Sequence, residues 1–421
     1  MPRLYSRLSN LLAGPLARAT LSTSAVLFIR LSVQAGFLLA VARLLGATLF
    51  GVFSGIAALA ILLGSMATAG THLVLLSEVS IDPARRNPVL RYALPTSLYA
   101  SMILLCLYAL LVLPLLRMAD LPFDIALGIG LAEILFQPLT MLVAMEKNAH
   151  DKAAYSQLLL TLPLFFKLCA ICLVYVLAPE NVLRVFVWSY FVASACAFLI
   201  VQRHLPENWP SWRTWRRPNL SELKHSLGYA TLNFTASAPL EADKVLALRL
   251  LPAHVVGVYA IGTRIIGALV LPIIAMLLSA LPRLYRQHAK KSSEQKKLHL
   301  WILLCTLAYG VAIAIVLALS APFFAFLFGT SYAEVSNVLR LLAFVVPALC
   351  LQISAANILM GQNKPWTRAM LELSGLLVLI VVAFSADFTP QETRMPFALG
   401  CAEWWLAITG WAIIYRNKSS T

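Results

Sequence analysis

Charge is scarce in this chain. Of its 421 residues 12% are charged and only 18 are acidic, against about 25% charged in an ordinary soluble domain. A soluble fold of this length needs a charged surface, so its absence points to another solvent. Several chemical signatures are missing as well. No Gly-rich loop is built to cradle phosphates, so no ATP site is legible. No nucleophile, base and orienting group share a stretch, so a covalent mechanism has no support. Cysteine gives no metal centre and no disulfide framework. All seven (Cys106, Cys169, Cys172, Cys196, Cys305, Cys350, Cys401) lie inside apolar runs. The C-x-x-C of Cys169 and Cys172 lacks the second pair or the histidines of a zinc site. Such cysteines are small apolar packing residues.

What is present is hydrophobic sequence. It makes up 60% of the chain, and the mean hydropathy is +0.82. Windows of about 20 apolar residues, enough to cross a bilayer core, recur near 20–42, 50–76, 93–117, 121–144, 154–177, 182–202, 227–250, 254–281, 299–327, 334–360, 366–386 and 395–415. The expectation is an all-α polytopic membrane protein with about 12 transmembrane helices. Prolines inside several spans, Pro95, Pro114, Pro163 and Pro347 among them, are tolerated where neighbouring helices re-satisfy the freed carbonyls.

The net charge of +15 suggests nucleic acid until the positions are examined. Alternate connections, from Arg3 through Arg85, Lys147, Arg216 and Lys291 to Lys418, hold 23 Lys and Arg residues. The opposite connections and helix ends hold five: Arg43, Arg117, Arg184, Arg249 and Arg394. This asymmetry puts both termini in the cytoplasm and explains the charge as topology, without a nucleic-acid partner. The first apolar stretch is too long for a signal peptide's h-region. Residues 1–19 read as a cytoplasmic interfacial segment and 416–421 as a cytoplasmic tail. The segment NWPSWRTWRRP, within a basic linker spanning 203–226, reads as an interfacial aromatic belt.

The chain also repeats itself. ARLLGATLFGVFS from Ala42 and LRLLPAHVVGVYA from Leu248 share Arg, Leu, Ala and Gly positions at an offset of 206 residues, close to half the length. An even number of spans separates them, so the relation is a parallel repeat about an axis along the membrane normal. Two six-helix lobes, 20–202 and 227–415, are expected around a central cavity.

At these residues the sequence resembles a known family. ARLLGATLFGVFS with the helix ending in LLSEVS is similar to the first two helices of Wzx-type polysaccharide (O-antigen) flippases. These belong to the multidrug/oligosaccharidyl-lipid/polysaccharide (MOP) exporter superfamily. EADKVLALRLLPAHVVGVYAIGTRI resembles their seventh and eighth helices, and LFGTSYAEVSNVLRLLAFVVPALCLQISAANILMGQNKP the ninth and tenth. The resemblance implies an inner-membrane flippase, not an enzyme. It would move undecaprenyl-diphosphate-linked oligosaccharide from the cytoplasmic to the periplasmic leaflet by alternating access, for exopolysaccharide or O-antigen assembly. A polysaccharide polymerase and a chain-length regulator are the implied partners. The rival within the superfamily is a multidrug/cation antiporter. A membrane glycosyltransferase, ligase or polymerase is disfavoured by the short outer connections.

Charges inside membrane spans mark function by default. Asn233, Ser237, Glu241 and Lys244 follow steps of four, four and three and share one helical face, with Asp243 off that face. The plain reading is a self-neutralising Glu241–Lys244 pair; the sharper one is a cavity wall where the lysine meets phosphate. Arg30, with Gln34 on its face, sits near mid-membrane, and Arg264 offers a second guanidinium whose fork suits diphosphate oxygens. Arg30, Gln34, Asn233, Ser237, Lys244 and Arg264 are therefore the substrate-binding candidates. Glu241, Asp243 and Glu133 are candidates for coupling to a proton or a sodium ion, and no cofactor is expected. Lys167, Arg340, Glu372 and Glu403 read as paired or snorkelling residues.

Overall fold

A computed structural model describes residues 15–150, 152–177, 179–205, 208–277, 294–362, 364–385 and 390–416. Most of the expected interfacial segment, the tail after Arg416, and the basic residues Arg283 to Lys291 lie outside the described residues. All regular structure among those described is helical. The helices are α1 (Pro15–Gly64), α2 (Thr71–Ile81), α3 (Arg86–Ala119), α4 (Phe123–Ala149), α5 (Ala153–Leu177), α6 (Val182–Arg203), α7 (Leu220–Leu250), α8 (Ala253–Leu269), α9 (Glu294–Phe328), α10 (Val335–Ala343), α11 (Val345–Gly361), α12 (Pro365–Ser385) and α13 (Arg394–Arg416).

Nine helices of the described residues are long and apolar enough to cross a membrane, or ten when α10 and α11, bent by 48°, count as one span. The expected twelve map onto these with two adjustments. α1 runs 50 residues but breaks at Gly46, whose φ of 67° and ψ of 173° are not helical, so it holds two spans. α7 is a full 31-residue helix whose central charges lower its hydropathy.

The second expected span, 50–76, is not continuous. Its helix stops at Gly64, turns through residues 65–70, and resumes as α2 at Thr71. Ala69 and Gly70 both take positive φ, 47° and 76°. The restart follows from packing: a Cβ on Gly70 would lie 2.0 Å from the carbonyl oxygen of Ser226. Polar groups satisfy the turn. Asn233 Nδ2 donates to the Ser65 carbonyl at 2.8 Å, Thr71 Oγ1 to the Thr68 carbonyl at 2.7 Å, and Thr68 Oγ1 lies 2.6 Å from His72 Nδ1. Irregular backbone at membrane depth survives only when paired in this way.

By contact the chain forms two units. One comprises Met1–Leu44 and Leu63–Asn233; the other comprises Leu45–Leu62 and Phe234–Thr421. In the first, α2 packs on α3 and α4, and α5 on α4 and α6, over a core that includes Leu90, Leu94, Leu142 and Leu159. In the second, α13 packs on α11 and α12, and α9 on α10 and α11.

The repeated sequence acquires a structural meaning in the second unit. A Cβ on Gly51 would lie 1.9 Å from the Ala253 carbonyl oxygen, and one on Gly257 would lie 2.0 Å from the Ala47 carbonyl oxygen. Ala47 and Gly51 are the repeat partners of Ala253 and Gly257, so the contact is reciprocal. Each copy lays its glycine on the alanine of the other, backbone against backbone, as small residues allow in membrane helix pairs.

Candidate functional site

The charged stripe of α7 lies in the second unit and pairs more fully than its spacing indicates. Lys244 Nζ lies 3.1 Å from Asp243 Oδ1 and 3.5 Å from Glu241 Oε2. Glu241 also reaches Arg264 Nη1 on α8 at 3.5 Å. Tyr259, likewise on α8, donates its hydroxyl to Asp243 Oδ2 at 2.8 Å. Glu241, Asp243 and Lys244 are all buried, while Arg264 keeps about a third of its side chain exposed, 34%. Two carboxylates thus meet two cations, and the plain reading of a Glu241–Lys244 pair describes part of a larger network. Arg264 is placed against Glu241, and Asp243 faces α8. Breaking such a network from one side strands a buried charge, at about 3–5 kcal/mol.

Glu403 adds a further carboxylate from α13. It is 2% exposed, lies within electrostatic reach of Asp243 and Glu372, and its Oε2 has no hydrogen-bond partner among the described residues. Glu372 is taken up by Arg368 one turn away, at 2.8 Å. Sequence reasoning set Glu403 aside; its isolation among apolar neighbours of α13 was the available signal. Among the described residues no three His, Cys, Asp or Glu side chains converge to hold a metal ion.

The first unit has its own buried pair. Glu133 sits in a π-helical turn, Leu131–Phe136, within α4, a local widening that recurs at functional positions. Lys167 of α5 donates to Glu133 Oε1 at 2.7 Å, and the Tyr190 hydroxyl of α6 donates to the same oxygen. The ammonium also stands 3.9 Å above the Tyr190 ring, a cation–π contact strengthened by desolvation. Lys167 is therefore paired, in keeping with its reading as a paired or snorkelling residue.

Arg30 is different. It is half-buried, and its Nη1 donates to the neutral amide oxygen of Gln157 on α5 at 2.9 Å. No carboxylate pairs with it among the described residues. Gln34 is exposed, Asn233 caps the Ser65 carbonyl, and Ser237 is half-buried. The charged candidates thus fall into a neutralised network on α7 and α8, the Glu133–Lys167 pair of the first unit, and the α1 guanidinium of Arg30 held by the Gln157 amide of α5.

Against solved structures, the likeness runs the length of the chain. An inward-facing multidrug resistance MATE family transporter of the MOP superfamily superposes with a TM-score of 0.77 at 14% identity, covering 96% of this chain and 98% of that one. The fold is that of the MATE transporters. An outward-facing MATE structure matches at TM-score 0.66 and 16% identity, covering 98% of both chains. A MOP superfamily transporter from Pyrococcus furiosus, reported with a binding pocket of reverse polarity suggesting a different function, matches at 0.65 and 16%, again covering 98% of both. The MatE family model matches residues 233–385, a stretch that opens at Asn233 and carries the α7–α8 network. No curated protein sequence matches the chain. The MATE fold agrees with the expected MOP-type architecture; the Wzx-type subfamily and its substrate are finer readings.

Proposed function

We propose that the chain is a secondary transporter of MOP type that flips a polyprenyl-diphosphate-linked oligosaccharide, of the undecaprenyl kind, across the bacterial inner membrane. The observation that carries this reading is Arg30, a guanidinium at membrane depth held by the neutral Gln157 amide. Such a cation retains its charge for an anionic ligand, and its fork geometry suits the oxygens of a diphosphate. The sequence resemblance to Wzx-type flippases supports the same substrate. A doubly charged headgroup moving outward gains about 2.3 kcal/mol per charge per 100 mV of membrane potential, so the step runs without ATP. The α7–α8 network with Glu403 is the coupling element of this proposal. A proton or sodium ion arriving at Glu403 relieves a buried carboxylate that has no ion pair among the described residues.

A second reading has its own support. The MATE structures that match are multidrug transporters by their descriptions, and Lys244 and Arg264 are already matched by carboxylates. A cation antiporter is the substrate class those two facts favour.

Transbilayer movement of a fluorescent undecaprenyl-diphosphate oligosaccharide in proteoliposomes separates the two. The flippase reading expects protein-dependent movement that falls at least tenfold in Arg30→Ala and partly recovers in Arg30→Lys. Absent movement, with organic-cation transport in the same vesicles, assigns the antiporter instead.

A further inference from the structure

The linker between α6 and α7 is not a slack tether. Arg216 fixes it: its backbone N–H donates to the Arg91 carbonyl at 3.0 Å, and its guanidinium takes both Glu222 oxygens, at 2.8 and 2.6 Å. The same guanidinium lies 4.7 Å from the Tyr92 ring. Trp215 Nε1 donates to the Pro210 carbonyl at 3.2 Å, and Trp209 packs on Phe198, ring centroids 6.1 Å apart. One arginine and the single acidic residue between Asn208 and Lys224 are thus consumed in holding the segment against α3 and α7.

What the segment then presents outward is of one kind. Arg213, Arg217 and Lys224 are exposed, and no carboxylate pairs with them among the described residues. Beside them stand Trp212, 72% exposed, Leu220, 69%, and Trp215. Clustered exposed tryptophan and leucine are costly in water and favourable at the headgroup level of a bilayer, where the indole spans the polar boundary; the Arg213 guanidinium stands 5.5 Å from the Trp212 ring. The segment joins α6, an apolar span ending at Arg203, to α7, which starts at Leu220, and so leaves the end of a span where the headgroup level of a bilayer falls.

We propose that Trp209–Lys224 is a preformed docking surface for anionic phospholipid headgroups of the adjoining leaflet. Arg213, Arg217 and Lys224 receive the phosphates, and Trp212 with Leu220 enters the interface. This surface shares no residue with the charged networks, and the proposal stands whether or not the substrate assignment holds.

The full-length chain, reconstituted with phosphatidylglycerol or phosphatidylcholine alone, tests it by native mass spectrometry of retained lipid. Wild type is expected to hold phosphatidylglycerol in preference. The triple variant Arg213→Gln, Arg217→Gln, Lys224→Gln is expected to lose about fivefold per charge removed, less at high salt. A brominated phosphatidylglycerol should quench a component of wild-type fluorescence that Trp212→Phe lacks; this reading needs no folded triple variant. Equal retention of both lipids, an unaffected triple variant, or quenching identical with and without Trp212 overturns the proposal. Displacement of the retained lipid by inorganic phosphate alone also overturns it, since a free-anion site would then explain the charges.

Discussion

Replacing Gly51 with alanine places a methyl carbon 1.9 Å from the Ala253 carbonyl oxygen and 2.7 Å from the Gly257 nitrogen. Both obstacles are backbone, so no side chain can swing aside. Ordinary contact begins near 3.4 Å, and relieving the clash requires the two helices to part by roughly 1.5 Å, the difference between those distances. A gap of 0.5–1 Å already forfeits a quarter to a half of each dispersion contact along the seam. Overpacking of this kind costs about 1–3 kcal/mol and occasionally more; with a rigid obstacle, the upper part of that range is expected. Alanine's better helix propensity returns only about 0.5–1 kcal/mol. Gly267, on α8 with Gly257 but with nothing within 4 Å of an added Cβ, isolates that propensity gain. Denaturant-driven unfolding in mixed micelles, followed by fluorescence, should show Gly51→Ala destabilised by about 2 kcal/mol and Gly267→Ala neutral or slightly stabilised. Gly257→Ala should cost a similar amount to Gly51→Ala, and the double variant less than the sum, because one separation relieves both clashes. If Gly51→Ala unfolds with Gly267→Ala, or if the two seam substitutions are additive, the reciprocal contact is refuted.

Lys244→Met leaves Glu241 and Asp243 short of a buried cation and should cost about 3–5 kcal/mol in the same assay, whereas Glu403→Gln, which removes no ion pair, should stay within about 1 kcal/mol of wild type while abolishing the ion dependence of transport in proteoliposomes. In the first unit, Lys167→Met strands Glu133 and should cost about 3–5 kcal/mol; the pair Lys167→Met, Glu133→Leu should recover much of that loss. Outside the spans, the hydrogen bond from Arg216 holds the Glu222 carboxyl below its ordinary value. A depressed folded-state value stabilises above the unfolded value and is lost as pH falls through the folded one. An acid titration of unfolding should therefore lose a contribution of at most about 1 kcal/mol that Glu222→Gln lacks, small because the Arg216 and Glu222 side chains are 37% and 26% exposed and screened by water.

Much of the architecture was legible because bilayer physics writes it into composition: apolar windows marked the spans, and the paired Arg and Gly positions marked the repeat. The turn at 65–70 was not. Its sequence, SMATAG, holds no proline and no charge, and the reason it turns is a distant one, the Ser226 carbonyl against Gly70. The stripe Asn233, Ser237, Glu241 and Lys244 put Glu241 and Lys244 on one face of α7, where the two lie 3.5 Å apart, while Asn233 turns to the Ser65 carbonyl and the off-stripe Asp243 joins the pair. It could not reveal that Arg264 and Tyr259 answer them from α8, because partners on another helix leave no periodicity. Glu133 and Lys167 stand 34 residues apart for the same reason. Glu403 looked like a helix-end residue by position, and only its burial beside Asp243 brings it into the site.

The Gly51–Gly257 seam has a bearing on how such a chain can change over time. A surface that meets its own copy cannot be altered on one side without the other half answering. Where the copies touch, a larger residue in either must be met by room in the other, and glycine has none left to give. The positions that match between ARLLGATLFGVFS and LRLLPAHVVGVYA include Ala47 with Ala253 and Gly51 with Gly257, the residues at which each copy sets the steric limit for the other.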